Sequence, residues 1–305
     1  MKIAVVGSYG VGMTMRLARL PGPGETVAGG SFAAGPGGKG SNQAIAAARL
    51  GAEVTLLTAV GPDVLGEEAR ELWRREGVTA DQVCTGEQPT MVGFILVEDS
   101  GENRIVIAPG ALDELTAAHV EGFHEAIRDA ELLIVSMEIP IAAVVAALRI
   151  AHEVGTRTLL NPAPAVLLPD EAWAWIDVLT PNQSEAPLLL GLDPDHDLTA
   201  RELIEALRAR TSATIVLTLG AAGCLVGDGD TVEAVAAIPA SQVVDTTGAG
   251  DSFTAALAVA LVDGLPLKAA VQYGSAAGSY AVTIEGVIAA LPTSQDIENL
   301  IGQMR

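Results

Sequence analysis

Short β-branched, apolar runs recur along the chain at Lys2–Val6, Glu53–Val60, Leu132–Ser136, Thr156–Leu160, Val178–Thr180 and Thr214–Leu219, with helical patterns between them. A strand that is apolar on both faces must be covered on both faces, and helices alternating with such strands predict a parallel sheet between two helical layers. The helical patterns Ser41–Leu50, Val64–Glu76 and Ile141–Glu153 each run into a glycine stop, at Gly51, Gly77 and Gly155, and a fourth spans Ala200–Arg210. The fold class is therefore α/β, a doubly wound and mainly parallel sheet with helices on both faces. With 305 residues, 50% of them apolar, the chain is long enough for one large domain of this kind or two smaller ones.

Two stretches break the alternation. Glu25–Ala34 reads as an antiparallel excursion, and in Met91–Ile107 the runs VGFILV and RIVI flank the turn-like EDSGEN as a hairpin. Together they could form a small sheet over the carboxyl edge of the main one, or an ordinary hairpin packed on a helix. A further pair of short strands is expected within Val232–Val244.

Charge removes several function classes. Against 38 Asp+Glu there are 17 Lys+Arg, a net charge of -21 that repels a phosphodiester backbone, and Trp 3, Tyr 3 and Phe 4 leave few rings to stack on bases. Nucleic acid is thus not an expected partner. Neither is a membrane, since no run approaches ~18 uninterrupted apolar residues. Lys2 and the following IAVVGSYGVG read as a first strand and its turn rather than as a secretory signal. Cys84 and Cys224 stand far apart, which suits a reducing, cytoplasmic setting. His119, His124, His152 and His196 form no HExxH or Cys/His pattern, and no GxSxG elbow occurs.

The sharpest signal is Val243–Phe253, VVDTTGAGDSF, leading straight into the apolar helix Thr254–Val262. Backbone N–H groups of Gly248, Ala249 and Gly250 at a helix N-terminus would converge on one spot, where the dipole adds positive potential and a phosphate is the natural occupant. A carboxylate at Asp251 is out of place beside a phosphate. It makes sense as the base that takes the proton of a hydroxyl attacking that phosphate, or else as a first-turn residue complementing the dipole.

Three further segments carry chemistry. Gly35–Gln43, GPGGKGSNQ, contains GxGxxG but follows GGSFAA rather than an apolar strand, which disfavours a dinucleotide fold; a P-loop would need Gly in place of Ala33 and a hydroxyl in place of Gly40. What remains is a turn offering N–H groups, the Lys39 ammonium and the Asn42 amide to sugar hydroxyls, or simply a helix-capping loop. In Thr180–Glu185, TPNQSE, Asn182 and Glu185 stand three apart, suited either to organising Mg²⁺ and its waters or to a capping box. Thr218–Gly223, TLGAAG, is a strand running into a glycine-rich turn where ligands of open α/β sheets bind, though alone it is only a turn.

Taken in order, GGKGSNQ, NPAP at Asn161–Pro164, TPNQSE, TLGAAG and DTTGAGD make the whole chain resemble the ribokinase-like (PfkB) carbohydrate kinases, their ribokinase branch most closely. The resemblance implies one kinase domain over residues 1–305, with a β-lid from about 10–36 and 90–110, often joined lid to lid in a homodimer. It implies ATP-dependent phosphorylation of a primary hydroxyl of a small sugar, with Mg²⁺ and K⁺ as cofactors. Asp251 matches the family's base, and Gly248, Ala249 and Gly250 its anion hole. Asn182, Glu185, Thr218, Gly220, Gly223 and Gly250 match ATP-binding positions, with Glu185 reaching Mg²⁺ through water. Gly38, Lys39, Asn42, Glu138 and Asp251 match the sugar pocket. Asp245, Thr247, Ala281, Ile284 and Gly286 match a monovalent-cation site. Departures occur at Gly10 and Gly12, where ribokinases carry Asn and Asp against ring hydroxyls, and at Ala290, where a side-chain oxygen is usual. They keep open a hexose, ketose, deoxysugar, cyclitol or nucleoside in place of ribose. Outside the kinases, a catalytically silent ligand-binding regulator and a dinucleotide-dependent oxidoreductase are the competing classes; intact Asp251 and GAG disfavour the first, and the context of GPGGKG the second.

Overall fold

The computed structural model describes residues 1–100, 102–193 and 195–302. Its main sheet has nine strands, ordered Thr231–Val235, Cys224–Asp228, Thr214–Thr218, Val178–Leu179, Arg157–Asn161, Leu132–Ser136, Lys2–Val6, Glu53–Leu57 and Val78–Thr79. All neighbours pair in parallel except at the first edge, where Cys224–Asp228 is antiparallel to both Thr214–Thr218 and Thr231–Val235. The chain builds outward from Lys2–Val6 in one direction and from Leu132–Ser136 in the other. These two strands lie side by side, so the winding reverses between them and a crevice opens beyond their carboxyl ends.

Alternation along each strand fills two cores. Ile3 and Val5 pack on the side of the helices Lys39–Arg49, Val64–Arg75, Ala249–Val262 and Leu267–Ala281. Ala4 and Val6 point the other way, toward Ala117–Gly122, His124–Asp129 and Ile141–Val154. All four side chains are buried, as the doubly covered arrangement requires. Gly51, Gly77 and Gly155 stop their helices with φ of 95°, 75° and 79°. Among the described residues no helix is long and apolar enough to cross a membrane.

The departures from expectation lie at irregular joints. Glu53–Val60 is not one strand: Thr58 O accepts from Cys84 N at 2.9 Å, and Ala59–Val60 turns away from the core sheet to pair with Cys84–Thr85. No strand occupies 236–248. The expected pair is instead the earlier hairpin Cys224–Asp228 and Thr231–Val235, turned at Gly229 with φ 48°.

A separate four-stranded sheet runs in the order Ser31–Gly37, Gly10–Leu17, Val92–Glu98 and Asn103–Ala108. The hairpin across EDSGEN is antiparallel as expected, with Gly101 of that turn lying outside the described residues. Gly10–Leu17 supplies a strand that GVGMTMRL does not announce, parallel to Val92–Glu98 and antiparallel to Ser31–Gly37, so the excursion placed at Glu25–Ala34 begins and ends later. A strand thus does precede Gly38–Gly40, but it belongs to this small sheet and not to a parallel βαβ unit. Phe32, Phe94, Ile105, Val106 and Ile107 of the small sheet are exposed.

Candidate active site

Two loops meet at the reversal point. The backbone of Gly7–Gly10 lies directly against the turn at Gly38–Gly40: a Cβ on Gly40 would fall 2.5 Å from the carbonyl carbon of Gly7, and one on Gly38 would fall 2.5 Å from Cα of Tyr9. Ser41 N donates to Ser8 O at 2.8 Å, and Gly38 holds φ at 87° where the helix begins. From the neighbouring strand end, Glu138 accepts from Ser8 Oγ at 2.5 Å and from Lys39 N at 3.2 Å. Lys39 and Glu138 are thereby tied together at the crevice.

Asp251 enters from the helix Ala249–Val262. Its Oδ2 accepts from Asn42 Nδ2 at 2.8 Å and its Oδ1 from Gln43 Nε2 at 3.0 Å. Gln43 Nε2 also donates to Asn161 Oδ1 at 3.0 Å, and Asn161 Nδ2 to Thr180 O at 3.3 Å, so the carboxylate is tied through amides to the carboxyl ends of two core strands. Burial pushes the Asp251 carboxyl above its ordinary value against the pull of Lys39, Asn42 and Gln43, with Glu138 adding to the rise. For Lys39 burial alone would lower the ammonium, but Asp251, Glu138 and Glu185 outweigh it and hold it above the usual range. A single cation is shared by three carboxylates. Among the described residues Asn42 Oδ1 and Gln43 Oε1 are buried without a partner, acceptors left over once the amide N–H groups are spent on Asp251. Gln43 and Asn161 were not expected as site residues, although both stand inside the motifs GGKGSNQ and NPAP.

The turn before that helix fits an anion. Gly248 is left-handed with φ 80°, and among the described residues the N–H groups of Gly248, Gly250 and Asp251 have no backbone acceptor. Ala249 differs from expectation, because its N–H donates to Thr246 O at 3.3 Å. A Cβ on Gly250 would meet nothing within 4 Å, so the approach is open.

Next along the crevice, Asn182 pairs by an isolated bridge with Thr218. Asn182 Oδ1 accepts from Ser184 N and Glu185 N at 2.8 and 2.9 Å, and Glu185 Oε2 accepts from Asn182 N at 2.9 Å. That reciprocal pair is a capping arrangement, and it also pins the Glu185 carboxylate. Burial raises the Glu185 carboxyl, opposed by the Asn182 N–H and by Lys39. Gly220 turns out of the strand Thr214–Thr218 with φ 56° and is exposed, whereas Gly223 is buried, where a Cβ would strike Val235 O at 2.3 Å. Gly223 thus serves the packing of the sheet edge and is not open to a ligand as the other turn residues are.

Asp245 joins two loops behind the anion turn. Its Oδ1 accepts from Thr247 N and Oγ1 at 2.9 and 2.6 Å, and its Oδ2 from Gly286 N at 3.1 Å. Ala281 and Ile284 flank the same turn, joined by Ile284 N to Ala281 O at 3.3 Å, while Ala290 is buried and brings only a methyl. Among the described residues no group of three or more His, Cys, Asp or Glu is placed to hold a metal. Gly10 and Gly12 lie on the small sheet opposite Gly37 and Gly35.

A model of pfkB family carbohydrate kinases matches residues 2–294. A ribokinase of Haemophilus influenzae is 33% identical over 295 residues, covering 96% of this chain and 96% of that protein. A ribokinase of Bacillus subtilis is 35% identical, covering 98% and 99%. Among solved structures, Arabidopsis thaliana ribokinase complexed with ribose and ATP matches with a TM-score of 0.92 at 28% identity, covering 98% of each chain.

Proposed function

The chain belongs to the pfkB family of carbohydrate kinases, and on that premise we propose that Asp251 is the base with which this ATP-dependent sugar kinase deprotonates a primary hydroxyl of a pentose or related small sugar. The observation that carries the reading is a buried carboxylate at the mouth of a helix N-terminus, held by one amide donor on each oxygen. Burial makes it a stronger base, the two amides fix its direction, and each oxygen keeps a lone pair for the incoming proton. The neighbouring free N–H groups supply the anion hole for the transferring phosphoryl group. The hydroxyl oxygen bonds to the γ-phosphorus as the bridging bond to ADP breaks, and Asp251 receives the hydroxyl proton.

Lys39, Asn42 and Glu138 would hold the sugar, with Asn42 Oδ1 a ready acceptor for one of its hydroxyls. Asn182, Thr218 and Gly220 would line the nucleotide. Glu185 would reach Mg²⁺ through water, an ion that spreads the charge of the phosphates and takes most of its ligands from them and from solvent. Asp245, the Thr247 hydroxyl and backbone oxygens of Ala281, Ile284 and Gly286 form an oxygen-rich set suited to a monovalent cation such as K⁺, with Ala290 removing one candidate donor. The small sheet would serve as the lid, and its exposed apolar side chains support a homodimer in which two lids cover each other. Free thiols at Cys84 and Cys224 suit the cytoplasm.

The test is ADP release over a panel of sugars and nucleosides, with and without K⁺ and with the metal chelated. Turnover on a small sugar that Asp251→Asn abolishes and chelation stops is expected. A phosphate site with so little fixed positive charge should not outlast removal of its metal, and undiminished activity in chelator would refute the Mg²⁺ assignment.

A further inference from the structure

We propose that the sugar taken by this enzyme presents a deoxygenated carbon to an apolar wall that Met91 builds at Gly10; the inference rests on the sugar-kinase reading and narrows its substrate to deoxysugars. Successive side chains of a strand point to opposite faces. Tyr9 stands edge-on to Trp73 at 5.1 Å, and Val11 and Met13 line a cavity with Leu65 and Leu72 of the helix Val64–Arg75. Gly10 and Gly12 therefore face the other way. Gly10 N lies 2.9 Å from where a Cβ of Gly38 would be, so Gly10 sits against the turn that carries Lys39.

A Cβ on Gly10 would fall 2.3 Å from Met91 Cε, 3.0 Å from Met91 O and 3.1 Å from Met91 Cβ. The thioether methyl already occupies the volume into which a side chain at position 10 would grow. It is not a stray surface group: Met91 is buried, its carbonyl accepts from Val11 N at 2.9 Å, and it shares a core with Met137 and Ile139, the neighbours of Glu138 in sequence. At Gly12 a Cβ would make only ordinary contacts, Ile95 Cδ1 at 3.8 Å and Gly35 O at 3.9 Å, so this position adds space and no polar atom.

The crevice is thus lopsided. Lys39, Asn42, Glu138 and Asp251 gather on one side, and a sulfur-bearing methyl with two glycines forms the other. A hydroxyl turned to that second side would exchange water for a weak sulfur acceptor and for the Met91 carbonyl, which already accepts from Val11 N, whereas a methylene or methyl there buries apolar surface. A ligand matched to both sides carries hydroxyls along one edge and a bare carbon on the opposite one.

Matched pairs of hydroxylated and deoxygenated sugars that keep their primary hydroxyl, ribose with 2-deoxyribose and glucose with 2-deoxyglucose among them, give the test as ratios of kcat/KM. An apolar wall rejects an added hydroxyl by no more than about a hundredfold, so a preference of about ten- to hundredfold for one deoxy member is expected. Met91→Gln, close in shape but able to hydrogen-bond, should shrink that preference at least about tenfold, and Met91→Leu should leave it. A wild type that favours the hydroxylated member of every pair overturns the proposal, as does an equal effect of Gln and Leu. If Met91→Gln fails to fold, judged by its melting transition, the wild-type and Met91→Leu ratios decide. Turnover on no sugar at all would overturn this and the kinase reading together, while turnover with a hydroxyl preference overturns only the wall.

Discussion

Gly38–Gly40 and Gly248–Gly250 are both glycine-rich turns that open a helix, yet they use glycine for opposite purposes. At the first, a Cβ on Gly38 or Gly40 would lie 2.5 Å from the backbone of Gly7–Tyr9, so the missing side chains let two loops touch. At the second, a Cβ on Gly250 would meet nothing within 4 Å. The missing side chain there leaves room in front of unpaired N–H groups. One turn is a joint and the other an opening, and composition alone cannot tell them apart. Asp251 connects the two, carried by the open turn's helix and gripped by Asn42 and Gln43 from the packed turn's helix.

The largest effect should come from that connection. Asp251→Asn is expected to lower kcat by ~10²–10⁴ through loss of a positioned base, a barrier increase of about 2.7–5.5 kcal/mol. The melting temperature should not fall, because a buried charge is removed and the unpartnered Asn42 Oδ1 and Gln43 Oε1 can turn to receive the new amide. Coupled ADP release and a thermal melt read the two quantities separately. A variant with near-normal kcat would remove Asp251 from the chemistry.

The glycines then separate joint from opening. Gly40→Ala drives a methyl into the Gly7 carbonyl carbon, Gly7 Cα and Ser8 N at 2.5, 2.6 and 2.6 Å, none of which belongs to a side chain that could swing away. About 3 kcal/mol of stability should be lost, measured by urea unfolding. Gly250→Ala should change stability by less than about 1 kcal/mol, with helix propensity in its favour, and should instead cost about tenfold or more in kcat by crowding the anion site and its N–H donors. Equal destabilisation by both substitutions would mean that the two turns are not different in kind.

Much of the fold was legible because its signals are local. Ile3 to Val6 alternate between two cores within a single apolar run, and Gly51, Gly77 and Gly155 end helices with positive φ at positions where a glycine follows a helical pattern. Asp251 was legible for the same reason, as an anomalous carboxylate within a turn and helix start. Its partners were not. Asn42 and Gln43 lie 209 and 208 residues away, and only the folded sheet brings them to the carboxylate. GVGMTMRL hid a strand because its two glycines interrupt any alternation, and its pairing with Ser31–Gly37 is set by residues some twenty positions away. Met91 looked like the start of a hairpin, and its part in the wall depends on a side-chain volume that no spacing encodes.

The smallest expected effect tests whether the packed turn tunes the open one. Burial raises the Asp251 carboxyl and Lys39 is the strongest opposing influence. Because the base must be unprotonated to act, kcat/KM should fall as pH drops through a value above the ordinary ~3.9 of an aspartate, with the slope of one proton. The sign for stability is the reverse. A carboxyl raised by folding favours the folded state fully below its unfolded pKa, and that contribution is lost as pH rises through the folded value, so wild type should lose ground to Asp251→Asn between acid and neutral pH. Lys39→Met takes away the opposing cation, and the acid limb of the rate profile should move to higher pH while the limb itself persists. A limb left in place by Lys39→Met would mean that the ammonium serves the sugar alone and that the two turns, though joined through Asn42 and Gln43, do not share their electrostatics.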